Sequence, residues 1–126
     1  MRHAGHIEAP NWHKDGYLIL NGGGRLFRVA LDHPVLDPID TDFATKCNND
    51  HGISPDGTML VISDKSRTVE SCIYTVPIAG GKPTRITPDV PSWWHGWSPD
   101  GTTLVYVGAR GDRVVRLYTM DLLTRT

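Results

Sequence analysis

The sequence predicts an all-β protein made of propeller blades, each blade a four-stranded antiparallel meander. Three observations carry the expectation. A short segment around an Asp-Gly pair recurs three times, as Trp12-His13-Lys14-Asp15-Gly16, Ile53-Ser54-Pro55-Asp56-Gly57 and Trp97-Ser98-Pro99-Asp100-Gly101. Two apolar runs follow each pair in the same order. Glycine (13) and proline (9) are plentiful, as a chain with many turns requires. The aspartates lie 41 and 44 residues apart, the length of one blade.

Each element of the unit has a physical reason. The first strand precedes the Asp-Gly, at 8–12, 50–54 and 93–98. In Ser-Pro-Asp-Gly, proline sets φ for the turn, aspartate bonds back to the backbone, and glycine takes the positive φ that closes a hairpin. The second strand follows, as Tyr17-Leu18-Ile19-Leu20, Thr58-Met59-Leu60-Val61-Ile62 and Thr102-Thr103-Leu104-Val105-Tyr106-Val107. The third carries an aromatic residue, in Leu26-Phe27-Arg28-Val29, Ile73-Tyr74-Thr75-Val76 and Leu117-Tyr118-Thr119-Met120. These runs are short, rich in β-branched and aromatic residues, and bounded by breakers. A fourth strand is expected at 35–39 and again at 83–87. Aligned without gaps on the Asp-Gly pairs, the blades span about 7–41, 48–88 and 92–126 of a single partial propeller, 1–126. Only Thr124-Arg125-Thr126 follow Leu123, so the third blade lacks a fourth strand. No capping segment is visible at either end, and an open arc leaves apolar blade faces uncovered. The expected partner is therefore the chain itself, as a homodimer closing a six-bladed ring. The alternative is a structural fragment of a longer propeller protein.

The stretch I-S-P-D-G-T-x-L-V-I-S, followed by I-Y-T-V-P-I-A-G-G-K-P-T-R-I-T, resembles the WD40-like (PD40) repeat of the TolB-like β-propellers. W-S-P-D-G-T-T-L-V-Y with L-Y-T-M-D-L is the next copy, and the resemblance runs from about 7 to 123. The first copy departs from it, with His13-Lys14 in place of Ser-Pro, but keeps the Asp-Gly and so should keep the turn. The resemblance implies a propeller of binding or scaffold type. It does not name a ligand, because this repeat serves many unrelated functions.

Thirteen basic and 14 acidic residues leave a net charge of -1, so no basic excess favours nucleic acid. No apolar run reaches the ~18 residues of a membrane span, and no membrane insertion is expected. Met1-Arg2-His3-Ala4-Gly5-His6 has no apolar signal core, which points to a cytoplasmic protein, or a periplasmic one if a further segment precedes it. Cys47 and Cys72 read as two ordinary thiols.

The candidate site lies where first strands line the central channel. His51 and His95 each stand two residues before the strand position that precedes Ser-Pro-Asp-Gly, and Pro10 holds that place in the first blade. Two imidazoles on neighbouring strands suit a divalent transition metal or a general base. A loose resemblance to oligogalacturonate lyases, whose histidine-lined channel holds a divalent metal, implies a metal-dependent lyase or hydrolase as the alternative to a binding role. The bland alternative is a pair of structural histidines. Asn48-Asn49-Asp50 supply ligands for the site, orient His51, or make side-chain turns. Trp97 aligns with Trp12 and Ile53 and is expected between blades, whereas Trp93 or Trp94 has a flat ring to offer a saccharide or protein at the channel mouth. Asn49, Asp50, His51, Trp94 and His95 are thus the expected ligand-binding set. Asp32, Asp37, Asp40 and Asp42 lack calcium-loop spacing and read as a solvated loop. Gly22-Gly23-Gly24 reads as a hairpin, not a phosphate loop, and no nucleophile elbow is present.

Overall fold

The computed structural model describes residues 6–126; the start of the chain, 1–5, read above for a signal, lies outside them. Eleven strands form three antiparallel sheets among the described residues. The first sheet is β1 (Glu8–Trp12), β2 (Tyr17–Gly22), β3 (Arg25–Ala30) and β4 (Asp37–Pro38), hydrogen-bonded in chain order. The second is β5 (Gly52–Ile53), β6 (Met59–Asp64), β7 (Cys72–Pro77) and β8 (Thr84–Arg85). The third is β9 (Ser92–Trp97), β10 (Thr103–Ala109) and β11 (Val115–Asp121), and among the described residues no strand pairs with the outer edge of β11. β1 touches β5 and β5 touches β9, so the first strands form one continuous inner wall.

The Asp-Gly turns do what their chemistry dictates. Gly16, Gly57 and Gly101 all adopt positive φ, at 91°, 77° and 73°. Asp56 accepts from Ser54 Oγ (2.7 Å), Thr58 Oγ1 (2.8 Å) and Thr58 N (3.0 Å), and Asp100 repeats the set with Ser98 and Thr102. These bonds, the serine's first, hold both carboxyls down at about 2. In the first blade His13 replaces the serine and the turn survives, with His13 N donating to Tyr17 O at 2.8 Å. The buried His13 ring receives the Asp15 N–H on Nδ1 and bonds through Nε2 to Gly57 O at 2.9 Å, tying one blade's turn to the next.

The gapless alignment needs one correction. Trp12 pairs with Leu18, whereas Ile53 pairs with Leu60 and Trp97 with Leu104. The first turn is one residue shorter, and a one-residue shift exchanges the two faces of a strand. Tyr17, Ile19 and Leu26 therefore face the second blade, packing with Leu60, Ile62, Cys72, Tyr74 and Val76. Val61, Ile73 and Ile86 on the other face of the second blade pack with Leu104, Tyr106 and Met120 of the third. Trp97 joins this second cluster but is only half-buried, not enclosed as expected. Trp12, at the same register position in the first blade, is 69% exposed because no blade precedes it among the described residues.

The strand expected at 50–54 contracts to Gly52–Ile53, because the chain before it is turned by side chains: Asp50 N donates to Asn48 Oδ1 at 2.9 Å. Asp32, Asp37, Asp40 and Asp42 are all exposed, Asp37 at the start of β4 and the others in the loops on either side of it. Cys47 and Cys72 are free, buried thiols. No helix of the described residues is long and apolar enough to cross a membrane.

Candidate functional site at the channel mouth

His51 precedes β5 and is 2% exposed. Burial pushes its pKa down to about 4, so the ring is neutral at pH 7. Both ring nitrogens meet asparagine side chains: Nε2 lies 2.9 Å from Asn21 Oδ1 and Nδ1 lies 2.6 Å from Asn11 Oδ1. A neutral imidazole has one N–H, and the relay behind it decides which nitrogen bears it. The Glu8 carboxylate accepts from Asn49 Nδ2, and Asn49 Oδ1 accepts from Asn21 Nδ2 at 2.9 Å. Asn21 Oδ1 is then left to accept from His51 Nε2–H. Nδ1 is therefore an acceptor, satisfied when the Asn11 amide turns its NH2 towards it. The amide oxygen suits only the protonated ring.

The relay reaches the surface at Glu8, whose carboxyl is held below its usual value by the Asn49 bond and then by His6. Beside it Asp50 is half-buried, and burial raises its pKa against the opposing charge of His95. An open cavity of about 520 Å³ runs between these groups, lined by Glu8, Asn48, Asn49, Asp50, Trp93 and the Gly22–Gly24 hairpin among others. Among the described residues no lysine or arginine lines it, and the His6 ring that does is bonded to Glu8.

The expected site residues divide. Asn49 and Asp50 line the cavity, and His51 sits behind it, joined through Asn21. His51 and His95 do not occupy equivalent places despite equal spacing. His95 falls in a bulge of β9, between the Gly96↔Val105 and Trp94↔Tyr106 pairs, and its side chain is exposed. β1 has its own irregularity between Glu8 and Asn11, with exposed Pro10 inside it, so Pro10 is no counterpart either. Among the described residues no three His, Cys, Asp or Glu side chains gather as a metal cage. Of the two tryptophans, Trp93 lines the cavity, while the Trp94 ring packs over Gly52 and against the second core cluster. A Cβ on Gly52 would stand 2.8 Å from Trp94 Cζ2 and closer still to neighbouring ring atoms, so only glycine admits the ring there.

Sequence reasoning passed over Glu8, Asn11, Asn21 and Ser63. Asn21 was detectable: once the first turn is shortened, Tyr17, Ile19 and Asn21 share the inward face, and a polar residue there needs a partner. Buried Ser63 accepts from Trp94 N (3.1 Å) and donates to Asp50 O (2.8 Å), locking the approach to β5 against β9.

No protein-family model matches the chain. It is 53% identical over 118 residues to an uncharacterised protein of Agrobacterium fabrum, covering 92% of this chain and 40% of that protein. A solved structure described as a candidate TolB from Agrobacterium tumefaciens is similar with a TM-score of 0.94 and 50% identity, over 97% of this chain and 44% of that one. TolB from Acinetobacter baumannii shares the fold, with a TM-score of 0.80 at 18% identity, over 97% of this chain and 31% of that one. The chain spans less than half the length of each relative.

Proposed function

We propose a binding role for this chain, which belongs to the TolB-like β-propellers. The channel mouth receives a segment of a protein partner through a basic side chain. One observation carries the reading: among the described residues the mouth holds two carboxylates, Glu8 and Asp50, with amide groups and the Trp93 ring, no lysine or arginine, and one imidazole, His6, bonded to Glu8. Carboxylates and amide oxygens accept hydrogen bonds from an ammonium or guanidinium group, and an aromatic face attracts the same cation. The relay behind Glu8 keeps Asn49 and Asn21 in one orientation, so the acceptors are set before the ligand arrives and less ordering cost accompanies binding. His51 serves as a buried anchor of this network, with both nitrogens occupied, and needs no metal for the role.

The test is calorimetric titration with short peptides carrying one central Arg, against the same peptides carrying citrulline, and against neutral oligosaccharides. Binding of the Arg peptide that weakens at least tenfold in Glu8→Gln/Asp50→Asn supports the reading. Equal binding of Arg and citrulline peptides, or binding of the saccharide alone, refutes it.

A further inference from the structure

Where the first and second blades meet, stacked side chains fill the space beside the Asp-Gly turn; where the second and third meet, the equivalent space is a cavity. We propose that this cavity binds a flat nitrogen heterocycle carrying an N–H donor. Both junctions lie between blades of this chain, so one serves as the reference for the other.

At the first junction three side chains of the first blade stack on one another. The His13 and Tyr17 rings lie 4.3 Å apart and nearly parallel, at 11°, and Arg28 Cζ sits 3.6 Å from the Tyr17 centroid. The buried imidazole reaches the next blade's turn, where Nε2–H donates to Gly57 O at 2.9 Å. The space there is full: a Cβ on Gly57 would stand 2.8 Å from His13 Nε2 and 2.9 Å from Lys14 Cε.

Strand register identifies the equivalents on the second blade. Trp12 pairs with Leu18 and Ile53 with Leu60, so Tyr17 corresponds to Met59. Ile19 pairs with Arg28 and Val61 with Thr75, so Arg28 corresponds to Thr75. His13 N donates to Tyr17 O as Ser54 N donates to Met59 O, so His13 corresponds to Ser54. Serine, methionine and threonine thus stand for histidine, tyrosine and arginine, and Ser54 Oγ turns to its own Asp56. All three line a cavity of about 460 Å³ against the third blade, within the ~300–1,000 Å³ of small-molecule sites. A Cβ on Gly101, the counterpart of Gly57, would meet only Pro55 Cδ, at 3.7 Å, among the described residues.

The lining matches such a ring. Met59 and the half-buried Trp97 supply polarizable and flat apolar surface. Gly101 O is the counterpart of the carbonyl that takes an imidazole N–H at the first junction. The turn bonds of Asp56 and Asp100 all fall on Oδ1, and Oδ2 of each remains an acceptor for a further donor. Arg125 also lines the cavity, with its guanidinium on Leu122 O and Arg85 O.

The experiment titrates benzimidazole and its N-methyl derivative into the chain, followed by amide and methionine-methyl chemical shifts. It is repeated on Ser54→His/Met59→Tyr, which gives the second blade the rings of the first. Benzimidazole is expected to move the signals of Ser54, Met59, Asp100 and Gly101. Removing the probe's N–H, or filling the cavity in the variant, should each weaken binding at least tenfold. Melting curves establish that the variant folds, and the comparison of the two probes on the parent stands without it. No shifts at these residues with millimolar benzimidazole, equal binding of the two probes, or undiminished binding by the folded variant overturns the inference. None of these outcomes bears on the channel mouth, at the other end of the sheets.

Discussion

Lowering the pH should weaken the fold through His51. The unfolded imidazole takes its proton near 6.5 and the folded one near 4. Between those values the unfolded state holds more protons, so stability falls as pH drops through the window and levels out below it. One pKa unit corresponds to about 1.4 kcal/mol, which makes the loss about 2 kcal/mol by pH 5 and about 3 kcal/mol by pH 4. Carboxylates titrate in the lower part of the same range, so the contribution has to be isolated by difference. Asp50, with its raised pKa, acts in the opposite sense there, and Glu8, with its lowered pKa, in the same sense as His51. His51→Gln keeps a hydrogen-bonding side chain between Asn11 and Asn21 but has nothing to titrate. Urea unfolding at intervals from pH 7.5 to 4 should show the parent losing stability faster than the variant below pH 6.5. Nitrogen-15 spectra at pH 7 should show a neutral ring with its proton on Nε2. Parallel stability profiles, or a His51 ring that titrates near 6.5, would refute the buried, neutral assignment.

Three further outcomes follow from packing. Gly52→Ala should cost about 1–3 kcal/mol, because the new methyl must displace the Trp94 ring, and a lower melting temperature with a shifted tryptophan emission would register it. Trp97→Ala should cost about 2 kcal/mol rather than the ~3–5 kcal/mol of a fully enclosed tryptophan, as measured by denaturant titration. Cys47 and Cys72 should resist a thiol reagent until the protein unfolds. Both are buried, and burial followed by the nearby Asp64 charge pushes the Cys47 thiol well above its usual range.

Blade architecture was legible because turn chemistry and strand periodicity agree three times over. The Asp-Gly turns and the aromatic third strands stand where the residues place them. Facing was harder to read. The first turn keeps its Asp-Gly yet is one residue shorter, and that single residue decides whether Ile19 or Leu20 looks towards the second blade. The candidate site was half legible for a related reason. Spacing alone makes His51 and His95 equivalent, but a bulge in β9 turns His95 outwards while Asn11 and Asn21 hold His51 inside. Bulges and cross-blade amide bonds arise from contacts distant in sequence, which periodicity does not encode. Glu8 lies 41 residues from Asn49, its partner in the relay.

The claim that the acidic channel mouth is the binding face is tested most directly by amide chemical-shift mapping during titration with an Arg-containing peptide. The account predicts shifts concentrated at Glu8, Asn21, Asn48, Asn49, Asp50 and Trp93, with the opposite end of the sheets unmoved. Shifts centred instead on the Asp-Gly turns, around Asp56, Trp97 and Asp100, would contradict it.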